Sequence, residues 1–345
     1  MAKNSGLLFS CLVGLAGILG NPAIAAETCA PVDLRAELGA PRDQGNTGWC
    51  FSHTTADLIS HKTRVRVSAF DLGVQFAATE IADMQNSPSR AVQDYLREVP
   101  ELLKVIEEAR DADRSTLEPG KILTEDGLYS HGGIEDAALL MANHRGLCED
   151  RFFSPGEDGF KKHLKELRRW VKSAADPAEI SSPRDIPEAT KPIFRKILSW
   201  LENHCQKRLP LTQPLIPRAL YAANSLKDFL NRRPSPEYPI KDLQKALWAE
   251  VDRALDEKKV AAVGYNAFDL TEQAPEETTL DGDHSSIIAA RRQENGQCYY
   301  FVRNSWGASC DLYLKPWLSR CEEKDGGVWI QKADLQTFYS VVTYR

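Results

Sequence analysis

The segment "RDQGNTGWCFSH", residues Arg42–His53, carries the most information about this chain. A glutamine, Gln44, stands six residues before a cysteine, Cys50, with two turn-forming glycines between them. Apolar residues recur at helical spacing after the cysteine, so we predict a helix that begins near Trp49 or Cys50. A helix N-terminus favours an anion and lowers the pKa of a thiol placed there. The pattern makes Cys50 a candidate nucleophile, with a disulfide half or a buried structural thiol as alternatives.

The start of the chain has the composition of a secretory signal peptide. Lys3 precedes an apolar run, Leu7 to Leu19, and small residues follow in "NPAIAAET". The run is shorter than the about 20 residues that a transmembrane helix needs, which argues against a permanent membrane anchor. We therefore predict a signal peptide over residues 1–25 and a secreted or periplasmic protein that has no membrane contact after cleavage. Disulfides persist in such an oxidising compartment.

The cysteine count agrees with export. Once Cys11 leaves with the signal peptide, seven cysteines remain: Cys29, Cys50, Cys148, Cys205, Cys298, Cys310 and Cys321. In an exported protein this odd number predicts one free thiol and up to three disulfides. Parity alone does not identify the free cysteine.

The order of the patterns predicts an α+β protein with two lobes. Helical periodicity dominates the earlier part of the chain, and apolar strand patterns follow. We assign residues 26–150 to an N-terminal helical lobe that carries Cys50, residues 151–237 to a helical insertion, and residues 238–345 to a C-terminal β lobe. The insertion is basic although the whole chain has a net charge of −6. It is a candidate surface for a protein partner, with a solvated helical face as the alternative.

Three stretches far apart in sequence carry residues for one kind of chemistry. Besides Gln44–Cys50, His284 begins an apolar strand in "GDHSS", and Asn304 ends the next strand in "RNSWG". A thiol nucleophile needs a base, the base needs a group that orients its ring, and the oxyanion needs hydrogen-bond donors. The chain supplies one residue of each type near the end of an element. A satisfied strand histidine and a plain turn glutamine are the alternatives.

Together, "DQGNTGWCFS", "DHSSIIA" and "VRNSWG" resemble the papain family of cysteine proteases. "PVDLRAELGAPRDQG" is similar to the mature N-terminus of bacterial members, and "HGGIEDAALLMANHRGLCED" resembles the family's Gly-Gly turn and the helix after it. The resemblance implies a two-lobe fold, with a helical left lobe and an antiparallel β-barrel-like right lobe. In this chain an extra helical insertion is added, and the family's long propeptide is expected to be missing.

The resemblance also implies residue roles. Cys50 is the expected nucleophile, His284 the general base and acid that pairs with it, and Asn304 the residue that orients the histidine. Gln44, with the backbone N–H of Cys50, is expected to form the oxyanion hole, and the Trp306 ring to shield the histidine–asparagine contact. The expected substrate-binding residues are Gly132, Gly133, Glu135, Trp306 and Asp283.

Glu135 has two alternative roles. By position it lies near the place where the family forms its second substrate pocket, and an acid there favours basic side chains. The competing interpretation is a cap for the helix that begins after Gly133.

Two departures from the family stand next to Cys50. The family usually has a disulfide beside the nucleophile. Both of its cysteines are replaced in this chain, by Thr47 and Ser130. The order Trp49-Cys50-Phe51 replaces the usual small residue before the nucleophile and tryptophan after it. We expect Trp49 to narrow the mouth of the cleft.

The resemblance makes Cys50 the free thiol and leaves six cysteines for disulfides. Cys310 and Cys321 flank a loop inserted after "NSWG", so we expect them to pair with each other. The other four allow three pairings. We favour Cys148–Cys205, which would tie the insertion to its own root.

The expected function is that of an exported papain-like cysteine peptidase that hydrolyses peptide bonds through a thioester. Its partner is a protein or peptide substrate, with no nucleic acid, cofactor or metal, and the chain is expected to be a monomer. One alternative is a weak or inactive binding module whose insertion engages a partner or covers the cleft. Another is an acyltransferase or cell-wall peptide amidase that uses the same site.

Overall fold

A computed structural model describes the chain over residues 29–45, 47–78, 89–98, 134–153, 198–205, 207–211, 213–221, 241–271 and 283–345. The predicted signal peptide lies outside these residues, as do Gly132, Gly133 and most of the insertion. No helix in the described ranges is long and apolar enough to cross a bilayer.

Helices make up most of the N-terminal part. They are α1 (Cys50–Thr63), α2 (Ala69–Ala78), α3 (Arg90–Glu98), α4 (Glu135–Arg145), α5 (Asp150–Phe153) and α6 (residues 198–204), followed later by α7 (Lys241–Asp256) and α8 (Lys315–Leu318). The predicted start of α1 at Cys50 is confirmed, and so is the end of α4 next to Gly146. Helix α1 is buried from Phe51 to His61 because it packs against α2 and α4 as well as against the sheet.

Strands dominate the C-terminal part. They are β1 (Val32–Asp33), β2 (Leu147–Cys148), β3 (Arg208–Leu209), β4 (Pro217–Tyr221), β5 (Ala261–Asn266), β6 (Asp283–Glu294), β7 (Gln297–Arg303), β8 (Cys321–Glu322), β9 (Gly327–Ile330) and β10 (Ser340–Tyr344). The main sheet is antiparallel and runs β4-β10-β5-β6-β7-β9-β8, with β1 paired to β6. The predicted α+β class is confirmed.

A buried ionic cluster joins α1 to the sheet. Asp57 of α1 accepts hydrogen bonds from Arg42 Nε at 2.6 Å and from Arg303 Nε at 3.0 Å. Arg303 closes β7 and also donates to the carbonyl of Ala40 at 2.5 Å. These two guanidinium groups hold the pKa of Asp57 below its usual value although burial opposes them. The cluster fixes the middle of α1 relative to the end of β7.

One part of the insertion was predicted wrongly. The sequence pattern favours a helix from Ala219 onward, whereas Pro217–Tyr221 forms strand β4, which pairs with β10. Strand β3, just before it, pairs with β2 of the helical part. Pairing with the open edge of β10 outweighs the weak local helix propensity of this segment. Residues 208–221 are therefore hydrogen-bonded both to β2 and to β10.

Three disulfides fix the cysteine pattern. Cys310–Cys321 and Cys148–Cys205 form as predicted, and Cys29–Cys298 is the third. Of the seven cysteines in the described ranges, Cys50 alone lies outside a disulfide. The odd cysteine count predicts one free thiol, and in the described ranges this thiol belongs to Cys50, the first residue of α1.

Candidate active site

His284 and Asn304 meet across two neighbouring strands. His284 lies near the start of β6, and Asn304 follows the last residue of β7. The Nε2 atom of His284 lies 2.7 Å from Oδ1 of Asn304, and both side chains are buried. The Trp306 ring stacks on the imidazole, with centroids 4.7 Å apart and planes 27° apart. His284 therefore contacts both Asn304 and Trp306.

Three hydroxyl groups that the sequence did not point to surround the Asn304 amide. The Oδ1 atom accepts from Ser286 Oγ at 2.5 Å and, at the longer distance of 3.4 Å, from the hydroxyl of Tyr265. The Nδ2 atom donates to the hydroxyl of Tyr313 at 2.9 Å. Alternation along a strand puts residues 284 and 286 on one face, so the sequence offered a sign that Ser286 lies beside His284. No comparable signal marked Tyr313.

The Gln44 segment is held against the residues after Asn304. Backbone hydrogen bonds of 2.8 Å run from Gln44 N to the Ser305 carbonyl and from Gly307 N to the Arg42 carbonyl. The Gln44 side-chain oxygen accepts from the Ser305 hydroxyl, and its Nε2 donates to the Thr47 carbonyl at 2.7 Å. An amide nitrogen carries two hydrogens, so within the described ranges one Nε2–H is left for a further acceptor.

Cys50 lies partly buried at the first residue of α1. Burial and the nearby charge of Glu135 raise the pKa of its thiol to about 12, whereas the backbone N–H groups of Ser285 and Phe51 oppose this rise. Burial thus outweighs the lowering expected from the helix N-terminus. The contact with the backbone of Ser285 places the sulfur beside the residue that follows His284.

Burial also lowers the pKa of His284, to about 4, against the opposing hydrogen bond to Asn304. Each group alone therefore favours its neutral form. Proton transfer from the thiol to the imidazole creates two opposite charges together, and their attraction is strong at low effective dielectric. The ionic form of the site depends on both partners being present.

Two adjacent acids begin α4 close to Cys50. Burial raises the pKa of Glu135 to about 7, with the nearby Ser285 hydroxyl opposing, and raises the pKa of Asp136 to about 6, with Tyr221 opposing. Tyr221 is the last residue of β4. The charge of Asp283 adds to the rise in the pKa of Cys50. The structure thus brings Glu135 and Asp283 close to the thiol.

Trp49 does not narrow the cleft. Its side chain is 1% exposed and packs edge-on against Phe70 at 5.9 Å between ring centroids. It also lies over Gly73 of α2, where a Cβ atom would be 2.5 Å from Trp49 Cε3. The expectation about Trp49 is wrong because the residue before α1 points into the helical core. Thr47, at the site of the missing disulfide, instead donates its hydroxyl to the Gln44 carbonyl at 2.8 Å.

The predicted site residues inside the described ranges lie around the N-terminus of α1: Cys50, His284, Asn304, Gln44, Trp306, Glu135 and Asp283. The predicted substrate-binding Gly132 and Gly133 fall outside those ranges. No cluster of three or more potential metal-ligating side chains occurs within the part of the chain that the structure describes.

No protein-family model and no curated protein matches the chain. Solved structures match the chain. Digestive procathepsin L 3 of Tenebrio molitor larval midgut matches with 14% identity and a TM-score of 0.39, over 92% of this chain and 71% of that one. A structure concerning the mite allergens Blo t 1 and Der p 1 matches with 15% identity and a TM-score of 0.40, over 94% and 74%. PepW from Lactobacillus rhamnosis matches with 12% identity and a TM-score of 0.41, over 91% and 81%. We assign no activity to the chain from these similarities.

Proposed function

We propose that this chain is a cysteine peptidase that hydrolyses peptide bonds through Cys50, His284 and Asn304. One observation carries the proposal. Of the cysteines that the structure describes, the single one outside a disulfide begins a buried helix beside the backbone of Ser285, and the Nε2 atom of the neighbouring His284 is held by the buried Asn304. A nucleophile, a base and an orienting group in this arrangement are what thiol-dependent acyl transfer needs.

The proposed reaction begins with proton transfer from the Cys50 thiol to Nδ1 of His284, while Nε2–H donates to Asn304. The thiolate attacks the substrate carbonyl, and the resulting oxyanion is stabilised by the remaining Nε2–H of Gln44 and by the N–H of Cys50. Collapse of this intermediate forms a thioester, and His284 gives its proton to the leaving amine. His284 then takes a proton from water, whose oxygen attacks the thioester carbonyl. Cleavage of the C–S bond releases the carboxylic acid product, and His284 returns its proton to the Cys50 sulfur.

The decisive test compares the wild-type chain with Cys50→Ala and Cys50→Ser, using peptide hydrolysis and labelling by an epoxide-type thiol reagent. We expect the wild type to take one label per chain, on Cys50, because the other six cysteines are in disulfides. Both variants should lose the label and hydrolysis while keeping the wild-type melting temperature. Wild-type hydrolysis rates in folded Cys50→Ala would contradict the proposal.

The same assay separates the alternative functions. An inactive binding module would leave Cys50 unlabelled and peptides uncleaved in the wild type. An acyltransferase would give aminolysis products when a second amine is added, and a cell-wall peptide amidase would cleave peptidoglycan fragments in preference to protein. Export remains part of the proposal, supported by the three disulfides, which persist in oxidising compartments.

We further propose that Glu135 lies at the second substrate pocket and selects basic side chains there. Its support is the buried carboxyl close to Cys50 and Tyr339. Its charge forms only as the pH rises through about 7, so selection should strengthen over that range. Cleavage of lysine- and leucine-containing peptides by Glu135→Gln measures this. An unchanged preference together with a loss of stability would favour the capping role, since the carboxyl also faces its own backbone N–H.

A further inference from the structure

The Asn304 side chain uses more hydrogen bonds than the orientation of His284 requires. Its Oδ1 accepts from His284 Nε2 at 2.7 Å and from Ser286 Oγ at 2.5 Å, and its Nδ2 donates to Tyr313 at 2.9 Å. An amide oxygen has two lone pairs, so these two donors fill it, with the Tyr265 hydroxyl as a longer third contact at 3.4 Å. The amide is thus held from both ends in the protein interior.

The hydroxyl groups are as buried as the amide they hold. Ser286 is 1% exposed and Tyr313 is 6% exposed, compared with 3% for Asn304. Ser286 and Tyr265 also bond to each other at 3.0 Å, so the Ser286 hydroxyl is itself fixed in place. A buried polar group that loses its partner costs more than an exposed one, which makes such a network rigid.

Tyr313 reaches Asn304 from a separate loop. Cys310–Cys321 closes this loop, and Tyr313 N bonds to the Cys310 carbonyl at 3.1 Å. Its backbone also forms a bridge with Thr271, and its ring packs against Trp306 at 5.5 Å between centroids. The position of the Tyr313 hydroxyl is therefore set by contacts on three sides.

We propose that Ser286 and Tyr313 are positioning residues, which hold the Asn304 amide oxygen on Nε2 of His284 and thereby keep Nδ1 free to accept the Cys50 proton. Neither residue is assigned a contact with substrate. The proposal rests on the proposed peptidase function, because it concerns the same histidine. It goes beyond that function because two residues other than Cys50, His284 and Asn304 determine how the His284 ring is oriented.

The experiment uses the full mature chain and the variants Ser286→Ala and Tyr313→Phe. Tyr300→Phe is the matched control for the tyrosine, because Tyr300 is fully buried and its hydroxyl bonds to Asp252 at 2.8 Å, away from Asn304. Thr343→Val is the control for the serine, since Thr343 is buried on β10 next to Glu250. Ser286→Thr keeps a hydroxyl group at position 286 and should rescue the loss.

We expect each of Ser286→Ala and Tyr313→Phe to lower kcat by about three- to tenfold with KM unchanged, as for one buried hydrogen bond. The pH midpoint for alkylation of Cys50 by iodoacetamide should also move upward, because a poorly held imidazolium stabilises the thiolate less. Both controls should keep the wild-type kcat and midpoint. Alkylation needs no substrate, so it tests the positioning role even if the protein hydrolyses no peptide.

A double-mutant cycle decides whether the two residues act through Asn304. In the Asn304→Ala background, Ser286→Ala and Tyr313→Phe should cause no further loss of kcat and no further shift of the alkylation midpoint. Losses that persist in that background would overturn the proposal. It would also be overturned if the folded single variants kept the wild-type alkylation midpoint, whatever their melting temperatures.

Discussion

Two groups of residues around Cys50 differ in their chemistry. The amide cluster, formed by Gln44, Asn304 and Ser305, consists of neutral groups that hydrogen-bond to one another, to neighbouring hydroxyls, to the His284 ring and to the Thr47 carbonyl. The acid pair, Glu135 and Asp136, consists of buried carboxyls whose pKa values are raised by desolvation. The orientation of His284 and the pH dependence of folding stability therefore depend on different parts of the site. Changes in the amide cluster should lower the rate across the whole pH range, whereas changes in the acid pair should alter how folding stability depends on pH.

The largest effect on kcat is expected at His284, whose ring is held by Asn304 of the amide cluster. His284→Ala removes the base that Asn304 holds, and general acid–base catalysis contributes typically about 10²- to 10⁴-fold. We expect kcat for peptide hydrolysis to fall by that factor at every pH, with the folded structure retained. Steady-state kinetics from pH 5 to 9 measure this, and His204→Ala, on α6, is the control. A loss of activity at only one end of the pH range would break the proposed division between the two groups.

The next effect concerns Gln44. Gln44→Ala removes the side-chain donor of the proposed oxyanion hole, and loss of one such donor typically costs about 10²- to 10³-fold in kcat. Because Ser305 and Thr47 hold the amide in place, Ser305→Ala should give a smaller loss in the same direction. Rates of thioester formation in single-turnover assays check both. Equal rates for Gln44→Ala and the wild type would remove Gln44 from the mechanism.

The acid pair should affect how the free energy of unfolding depends on pH. The pKa of Glu135 is raised from 4.5 to about 7, so the unfolded chain loses this proton at lower pH than the folded chain does. Folding stability from this group is full below about pH 4.5 and is lost as the pH rises through about 7. Glu135→Gln should lack this loss and exceed the wild-type stability at pH 8 by up to about 3 kcal/mol.

Urea unfolding at pH 4 and pH 8 measures this difference between wild type and Glu135→Gln. Glu202→Gln, on the exposed side of α6, is the control for the exchange of glutamate for glutamine itself. A variant that is less stable than the wild type at pH 8 would show that the Glu135 carboxylate is stabilising in its buried position.

The smallest effect concerns the support of α1. Gly73→Ala puts a methyl group against the Trp49 indole, and such overpacking typically costs about 1–3 kcal/mol, partly offset by the better helix propensity of alanine. We expect a net loss of about 1 kcal/mol in thermal unfolding with catalysis nearly unchanged. Trp49→Phe should relieve the clash, so the double variant should lose less than the sum of the single changes. Strict additivity would place the strain elsewhere.

Much of this arrangement could be predicted from local patterns. The glycines before Cys50 and the periodicity after it predict the start of α1, and period-2 alternation predicts β6 and β7 with His284 and Asn304 at neighbouring ends. The direction of Trp49 was not predictable, because it depends on how α1 packs on α2. Strand β4 was missed because its conformation is set by a partner more than 100 residues away. Tyr313 was missed for a similar reason, since only the folded loop brings it to Asn304.

Strand β4 has a consequence for how the protein behaves among its own copies. An exposed strand edge offers unpaired backbone N–H and C=O groups on which another chain can assemble. Here the insertion covers β10 along five residues, Ser340 to Tyr344, so that β4 and not β10 ends the described sheet. The first residue of β4 is Pro217, which has no N–H to offer, and the next is the exposed Arg218. The open edge of β10 is thus replaced by an edge that begins with a residue lacking an N–H and an exposed arginine.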